Sequence, residues 1–318
     1  MITQKEKRWR LIINTLLYSP VIIIAMNGII IINQEIGHNQ YKIKRYKEEF
    51  IKFGIHLDVF VNNGTLASIK DSELIVNIPK CDFIIYLDKD IYLAKILEKA
   101  GFRLFNKADF IKLCDDKALT NIACASRGIK MPDTITGPLF YSQELKPENL
   151  LFLDEVIKEL GFPLILKRVY GSLGLGVYLI KNKEELIAAY KEHCRAPILF
   201  QRYVGSSYGV SARVIIIDKQ VIGGFIRYNK TDFRSNYGDN ATSRPLKNGD
   251  RCFDLAKYIA DELDIEYAGI DFMFLENGEP IMCEINSNAF FEEFEKVTGI
   301  NVAYKYAEMI KKKIYEQK

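Results

Sequence analysis

Histidine is scarce. The 318 residues contain only His38, His56 and His193, and none has a ligand-like or triad-like neighbour. That removes histidine metal centres and serine–histidine acyl-enzyme chemistry from consideration. The six cysteines (Cys81, Cys114, Cys124, Cys194, Cys252, Cys283) lie far apart with no C-x-x-C pair. Their spacing argues against a zinc site and against a disulfide-stapled secreted fold. Net charge is only +3, so no general attraction to nucleic acid or an anionic membrane follows. No G-x-G-x-x-G follows the first predicted strand, and no glycine-rich segment ends in Gly-Lys-Ser/Thr. Dinucleotide fingerprints and Walker loops are thereby excluded. Chemistry must run on Lys, Arg, Asp, Glu and Asn, which points to phosphate and metal.

A convincing membrane span is missing too. Lys5, Lys7, Arg8 and Arg10 precede an apolar run from Leu11 to Ile32. Gly28 to Asn33 reads instead as a first buried parallel strand. What remains, Leu11 to Ala25, contains Asn14 and Pro20 and falls short of the ~20 residues a spanning helix needs. Residues 1–25 are expected to be an extension outside the fold, with Met26 an alternative start. A membrane partner is expected only if that extension anchors the chain.

What is present is an alternation of strands and helices. From Met26 to about Asn106 the pattern predicts strands Ile29–Asn33, Leu57–Val61, Phe83–Leu87 and Phe102–Phe105. Helices Lys42–Phe53 and Ile91–Lys99 lie between them, as an open parallel α/β sheet requires. Next come a helix Asp109–Arg127, a helix Pro147–Leu160 and a hairpin of Pro163–Lys167 with Val177–Ile180. A helix Glu184–His193 and a strand Ile198–Tyr203 complete that unit. The rest is strand-rich: Ala212–Ile217, Val221–Tyr228, Gly269–Leu275 and Pro280–Ile285, with helices Asp254–Leu263 and Val302–Tyr315. The expected fold is α/β, with α+β character in the C-terminal lobes, divided at 26–107, 108–200 and 201–318.

Two constellations carry chemistry. Gly171-Ser172-Leu173-Gly174-Leu175-Gly176-Val177 joins two strands just after Lys167. Glycines at that density let backbone N–H groups approach an anion and permit a flap to close over it. A lysine on a buried strand needs an anionic partner. Without a ligand, the same segment would be an ordinary hairpin turn. The second constellation is Asp271, Glu284 and Asn286. Asn277-Gly278 between two apolar runs is a two-residue hairpin signal. Counting outward from it sets Asp271 opposite Glu284, with Cα atoms roughly 4.5 Å apart and Asn286 on the same face. Facing carboxylates repel unless a cation lies between them, and two carboxylates with an amide oxygen suit Mg²⁺. The other face, Phe272, Phe274, Ile281, Cys283 and Ile285, is expected to pack on the core. Lys117, Arg213, Arg227 and the Arg234-Ser235-Asn236 connection supply further donors for phosphate or carboxylate.

Taken in order, CDDKALT, FPLILK, GSLGLGV, FQRYV, SARVIIID, DFRSN, GIDFMF and CEINSN resemble the ATP-grasp superfamily, and most closely its RimK-type glutamate ligase branch. The resemblance runs from about Asn27 to the C-terminus. It implies an ATP-grasp fold in which Lys117 and Lys167 contact the nucleotide phosphates and Gly171, Ser172, Gly174 and Gly176 close over them. Gln201, Arg202, Tyr203 and Val204 would line the adenine pocket. Arg234, Ser235 and Asn236 would form the nucleotide loop, and Asp271, Glu284 and Asn286 would hold Mg²⁺, with Mn²⁺ an acceptable substitute. Ser211 stands where the family often has a ribose-holding acid. Tyr237-Gly238-Asp239-Asn240 replaces a usual Gly-Gly, and Ala289 a usual proline. The implied activity is ATP-dependent joining of a carboxylate to an amine through an acyl phosphate, plausibly adding glutamate or another amino acid to a peptide, protein or metabolite. Arg213 is the expected stabiliser of the tetrahedral intermediate and Arg234 the second catalytic candidate. A cytoplasmic location is expected, no nucleic-acid partner is, and an oligomer is compatible with the chain. A non-turning nucleotide-binding regulatory module and an ATP-grasp phosphotransferase are the alternatives.

Overall fold

The computed structural model describes residues 26–34, 36–142, 144–171, 174–236 and 241–316. The extension expected at residues 1–25, Ser172 of the glycine loop and the segment 237–240 lie outside these.

Ile29, Ile30, Ile31 and Ile32 form the middle of strand β1 (Met26–Ile32), buried on both faces as a central parallel strand requires. It pairs in parallel with β2 (Ile55–Val61) on one side and β5 (Phe83–Tyr86) on the other, and β5 pairs with the short β6 (Leu104–Phe105). Helices α1 (Gln40–Phe50) and α2 (Ile91–Lys99) cover the sheet. Asp90 caps α2, its carboxylate accepting from the Tyr92 and Leu93 amides. The N-terminal sheet is thus the open parallel α/β unit read from the sequence. Between β2 and β5 lies a hairpin that the alternation did not reveal, β3 (Ala67–Lys70) with β4 (Glu73–Val76).

The expected helix Asp109–Arg127 is two helices. Helix α3 (Ala108–Asp115) ends at Asp116, which takes an extended conformation and caps α4 (Lys117–Ala125) by accepting from the Leu119 amide. An aspartate that offers its side chain to a backbone N–H competes with helix continuation, so the break falls there.

The central sheet is antiparallel in the order β7 (Thr134–Thr136), β10 (Ile198–Arg202), β8 (Leu164–Arg168), β9 (Val177–Ile180). Helices α5 (Phe152–Leu160) and α6 (Lys183–His193) pack on it around Tyr190 and Phe200. The C-terminal sheet runs β13 (Thr242–Pro245), β12 (Gln220–Tyr228), β11 (Val210–Ile217), β14 (Tyr267–Phe274), β15 (Pro280–Asn286), all antiparallel. Helix α7 (Arg251–Glu262) covers one face. Helices α8 (Glu292–Thr298) and α9 (Val302–Tyr315) join the other face to the N-terminal unit. There Tyr306 lies 5.4 Å from Tyr46 of α1 and 4.9 Å from Tyr267 of β14, ring centre to ring centre. Strands β7 and β13 and helix α8 are too short to carry a period of their own.

Candidate active site

The hairpin β14–β15 sets the acids. Gly278, at φ 72°, donates to the Leu275 carbonyl at 2.8 Å, and Leu275 donates to Glu279 at 2.9 Å. The loop therefore holds Glu276, Asn277 and Gly278 rather than two residues, and Phe274 faces Pro280, one step off the expected register. A bulge at Cys283 then restores the step, so that Asp271 does face Glu284. The two offsets cancel at the site. They do not cancel for Cys283: instead of joining the core face it lines the cavity beside Glu284, while Phe272, Met282 and Ile285 fill the core beneath.

Asn286 lies with the acids, its amide nitrogen 3.0 Å from Glu284 Oε1 and 3.5 Å from Asp271 Oδ2. Asp271 is buried, and Arg213, its cross-strand neighbour on β11, donates to it through Nε at 2.6 Å and Nη2 at 2.5 Å. Burial pushes the Asp271 carboxyl above the usual range, and the guanidinium opposes it. For Glu284, burial also works upward, but Lys117, the Asn286 amide, Arg213 and Lys167 outweigh it and hold the carboxyl at about 2. The cluster fits a divalent cation: two carboxylates supply hard oxygen donors, with an amide whose oxygen and nitrogen can exchange places. Among the described residues no group of three or more His, Cys, Asp or Glu forms an all-protein metal cage, so a cation here would draw further oxygens from phosphate and water.

Above this hairpin, between the central and C-terminal sheets, lies a cavity whose walls include Lys117, Lys167, Gln201, Ser211, Asp271 and Glu284. The helix break at Asp116 points Lys117 into it, with Nζ donating to the Gly171 carbonyl at 2.8 Å. Burial, opposed by Glu284, holds its pKa below the usual lysine value. Lys167 does not meet the anionic partner expected of it: its Nζ donates to the neutral Gln201 Oε1 at 2.7 Å.

The cavity gathers Gly171 and Gly174 of the glycine loop, Tyr203 and Val204 after β10, and Ser235 and Asn236 of the polar connection. Ser211 bonds Ser235 hydroxyl to hydroxyl at 2.5 Å. Arg234 spans the cleft, with Nη1 on the Gly174 carbonyl at 3.1 Å and Nε and Nη2 on Asp232. Three expected residues stand differently. The Arg202 guanidinium turns away to Asp133 and the Glu159 and Leu160 carbonyls, so only its backbone faces inward. Gly176 lies behind the wall, packed on the Arg168 side chain. Arg213 has two nitrogens committed to Asp271 and borders a second cavity rather than the first.

That second cavity, about 440 Å³, opens beyond the acids between the N-terminal and C-terminal units. Glu284, Arg227 and Asn236 border both cavities, and Lys89 and Glu293 line the second. Arg227, named from the sequence as a donor for phosphate or carboxylate, pairs with Ser211 across β11 and β12. Lys89 and Glu293 follow β5 and open α8, with no local pattern to mark them.

A family model described as the RimK-like ATP-grasp domain matches residues 114–310. The chain is 33% identical over 263 residues to a Mycoplasma pneumoniae protein described as "Uncharacterized protein MG012 homolog", covering 81% of this chain and 88% of that one. It is 31% identical over 255 residues to human N-acetylaspartylglutamate synthase A, covering 78% of this chain but only 62% of that longer protein. Among solved structures, the RimK domain ATP-grasp protein of Sphaerobacter thermophilus superposes with a TM-score of 0.66 at 16% identity, over 89% of this chain and 99% of that one.

Proposed function

The chain belongs to the RimK-like ATP-grasp family, and on that premise we propose that it joins a carboxylate to an amine using ATP, with glutamate the first amine to try. The family takes ATP with a divalent cation in general. The observation that carries the proposal is the shared wall at Glu284. One cavity, lined by lysines and a glycine-rich loop, suits a triphosphate. The other, of a size suited to a small molecule, meets it across the acids. Glutamate is taken from the relative named N-acetylaspartylglutamate synthase A.

In this reading Lys117 and Lys167 attract the phosphates, and Arg234 draws the Gly174 backbone and the nucleotide loop together over them. Asp271, Glu284 and Asn286 would hold Mg²⁺ or Mn²⁺, which supplies charge neutralisation between the phosphates and the incoming carboxylate. Arg213 holds Asp271 in place through two hydrogen bonds and opposes its protonation. A substrate carboxylate in the second cavity attacks the terminal phosphorus, giving an acyl phosphate and ADP. The amine then displaces phosphate, and a closed cleft keeps water from that mixed anhydride. Among the described residues no helix is long and apolar enough to cross a membrane. Six free, scattered cysteines and ATP use support a cytoplasmic location.

The test is ADP release by purified protein that needs both a carboxylate and an amine, screened over amino acids and short peptides. Glu284→Gln should lower the rate more than tenfold at saturating ATP. ADP release indifferent to both co-substrates, or a Glu284→Gln enzyme within tenfold of the parent, would refute it.

A further inference from the structure

Arg227 lies in β12 with its side chain only 7% exposed, yet it borders both cavities. Its Nε donates to Glu293 Oε2 at 3.0 Å, and its guanidinium covers the Phe225 ring at 4.7 Å. Its two terminal nitrogens have no hydrogen-bond partner among the described residues. Arg213, one strand over, is in the opposite condition, with two of its nitrogens on a carboxylate. A guanidinium held in place by its neighbours with its fork open toward a cavity can take a ligand there, and its planar geometry suits a carboxylate. Burial and the nearby Arg213 both work against the charge of Arg227, so an anion placed there would be favoured.

Glu293 stands beside it with the other sign. One carboxylate oxygen accepts from Arg227 and the other from the Ser243 hydroxyl, which fixes the group. Its side chain is nevertheless 43% exposed, and it lines the second cavity. An open guanidinium fork and an acid 3.0 Å from the same arginine match the carboxylate and ammonium of an α-amino acid, which sit on one carbon. An acyl donor would need only the positive partner.

We propose that Arg227 and Glu293 determine the choice of amine substrate, the Arg227 terminal nitrogens taking the α-carboxylate of an amino acid and Glu293 its ammonium. This assignment rests on the ligase reading. It goes further by naming which side chains select the amine.

The experiment is calorimetry on the full chain with Mg²⁺ and the non-hydrolysable analogue AMP-PNP, titrated with each of the twenty L-amino acids. At least one should bind. Its analogues lacking only the amino group or only the α-carboxylate (for glutamate, glutarate and 4-aminobutyrate) should bind at least tenfold more weakly. Arg227→Lys and Glu293→Gln should each weaken the amino acid at least tenfold, Glu293→Gln should leave Mg–AMP-PNP affinity within threefold, and an unchanged circular dichroism spectrum shows each variant folded. The assignment fails if no amino acid binds or if the analogues bind equally. It fails too if Arg227→Lys weakens the nucleotide and spares the amino acid, since the fork would then serve phosphate. Wild-type protein that takes up no Mg–AMP-PNP would instead bring down the nucleotide reading itself.

Discussion

Replacing Lys42 by methionine should flatten part of the protein's stability profile against pH. Lys42 lies on α1 and is 1% exposed. Its ammonium meets only neutral groups: the Asn288 carbonyl at 3.3 Å, the Asn288 side-chain oxygen, and the Phe290 ring at 4.4 Å. Glu292, Glu293 and Lys296 share the wall of the adjoining cavity, but burial alone moves the amine, from the ordinary 10.5 to about 7. Between those values the unfolded chain holds a proton that the folded chain does not. Stability therefore rises with pH through this window and is least below about 7. The full difference amounts to about 5 kcal/mol. From pH 7 to pH 9 the wild type should gain about 2.5 kcal/mol relative to Lys42→Met. The comparison of slopes is insensitive to the constant loss of the Asn288 hydrogen bonds. Urea unfolding followed by circular dichroism at pH 7, 8 and 9 gives both slopes. Curves that run parallel to within about 0.5 kcal/mol would refute the buried, proton-losing lysine.

Gly209→Ala should be among the most damaging single-methyl additions. At φ 63°, its Cβ would fall 1.9 Å from the Asn229 carbonyl oxygen. Gly209 also anchors the connection that carries Arg234, the proposed nucleotide loop, by donating to Phe233 and accepting from Asn229. A loss of about 2 kcal/mol or more and a raised KM for ATP are expected by denaturation and steady-state assay; an unchanged KM would separate this glycine from the loop. Arg213→Met leaves the buried Asp271 uncompensated and should cost about 3–5 kcal/mol. Arg213→Met with Asp271→Leu should recover much of that stability and none of the activity. Thermal unfolding and ADP release measure the two, and a single variant as stable as the parent would contradict the ion pair.

The acid-bearing hairpin was legible because a strand has a fixed period. Asp271, Glu284 and Asn286 share a face through alternation alone, and the register error at the turn was corrected by an equal one at Cys283. That second offset is invisible in the sequence: a bulge needs no special residue, and Cys283 resembles the core residues around it. The helix break was legible in retrospect. Asp116 precedes Lys117 as a cap precedes a first turn, but the apolar spacing from Phe110 to Cys124 runs through it and masks the stop.

The second cavity was not legible for a different reason. Lys89 leaves a parallel strand of one unit, Arg227 ends an antiparallel strand of another, and Glu293 opens a seven-residue helix. Each is ordinary locally, because most charged side chains are solvent-facing. What distinguishes Arg227 is burial without a full set of partners, and burial there comes from Phe225 beneath it and from the α8 end that carries Glu293. Sites within one sheet follow from strand register. Sites between units follow only from how the units dock, and here Tyr46, Tyr267 and Tyr306 belong to the core that joins the units while none of them lines the cavity. On the proposed reading, substrate choice would depend on how the units dock, whereas nucleotide and metal binding would depend on the hairpins themselves.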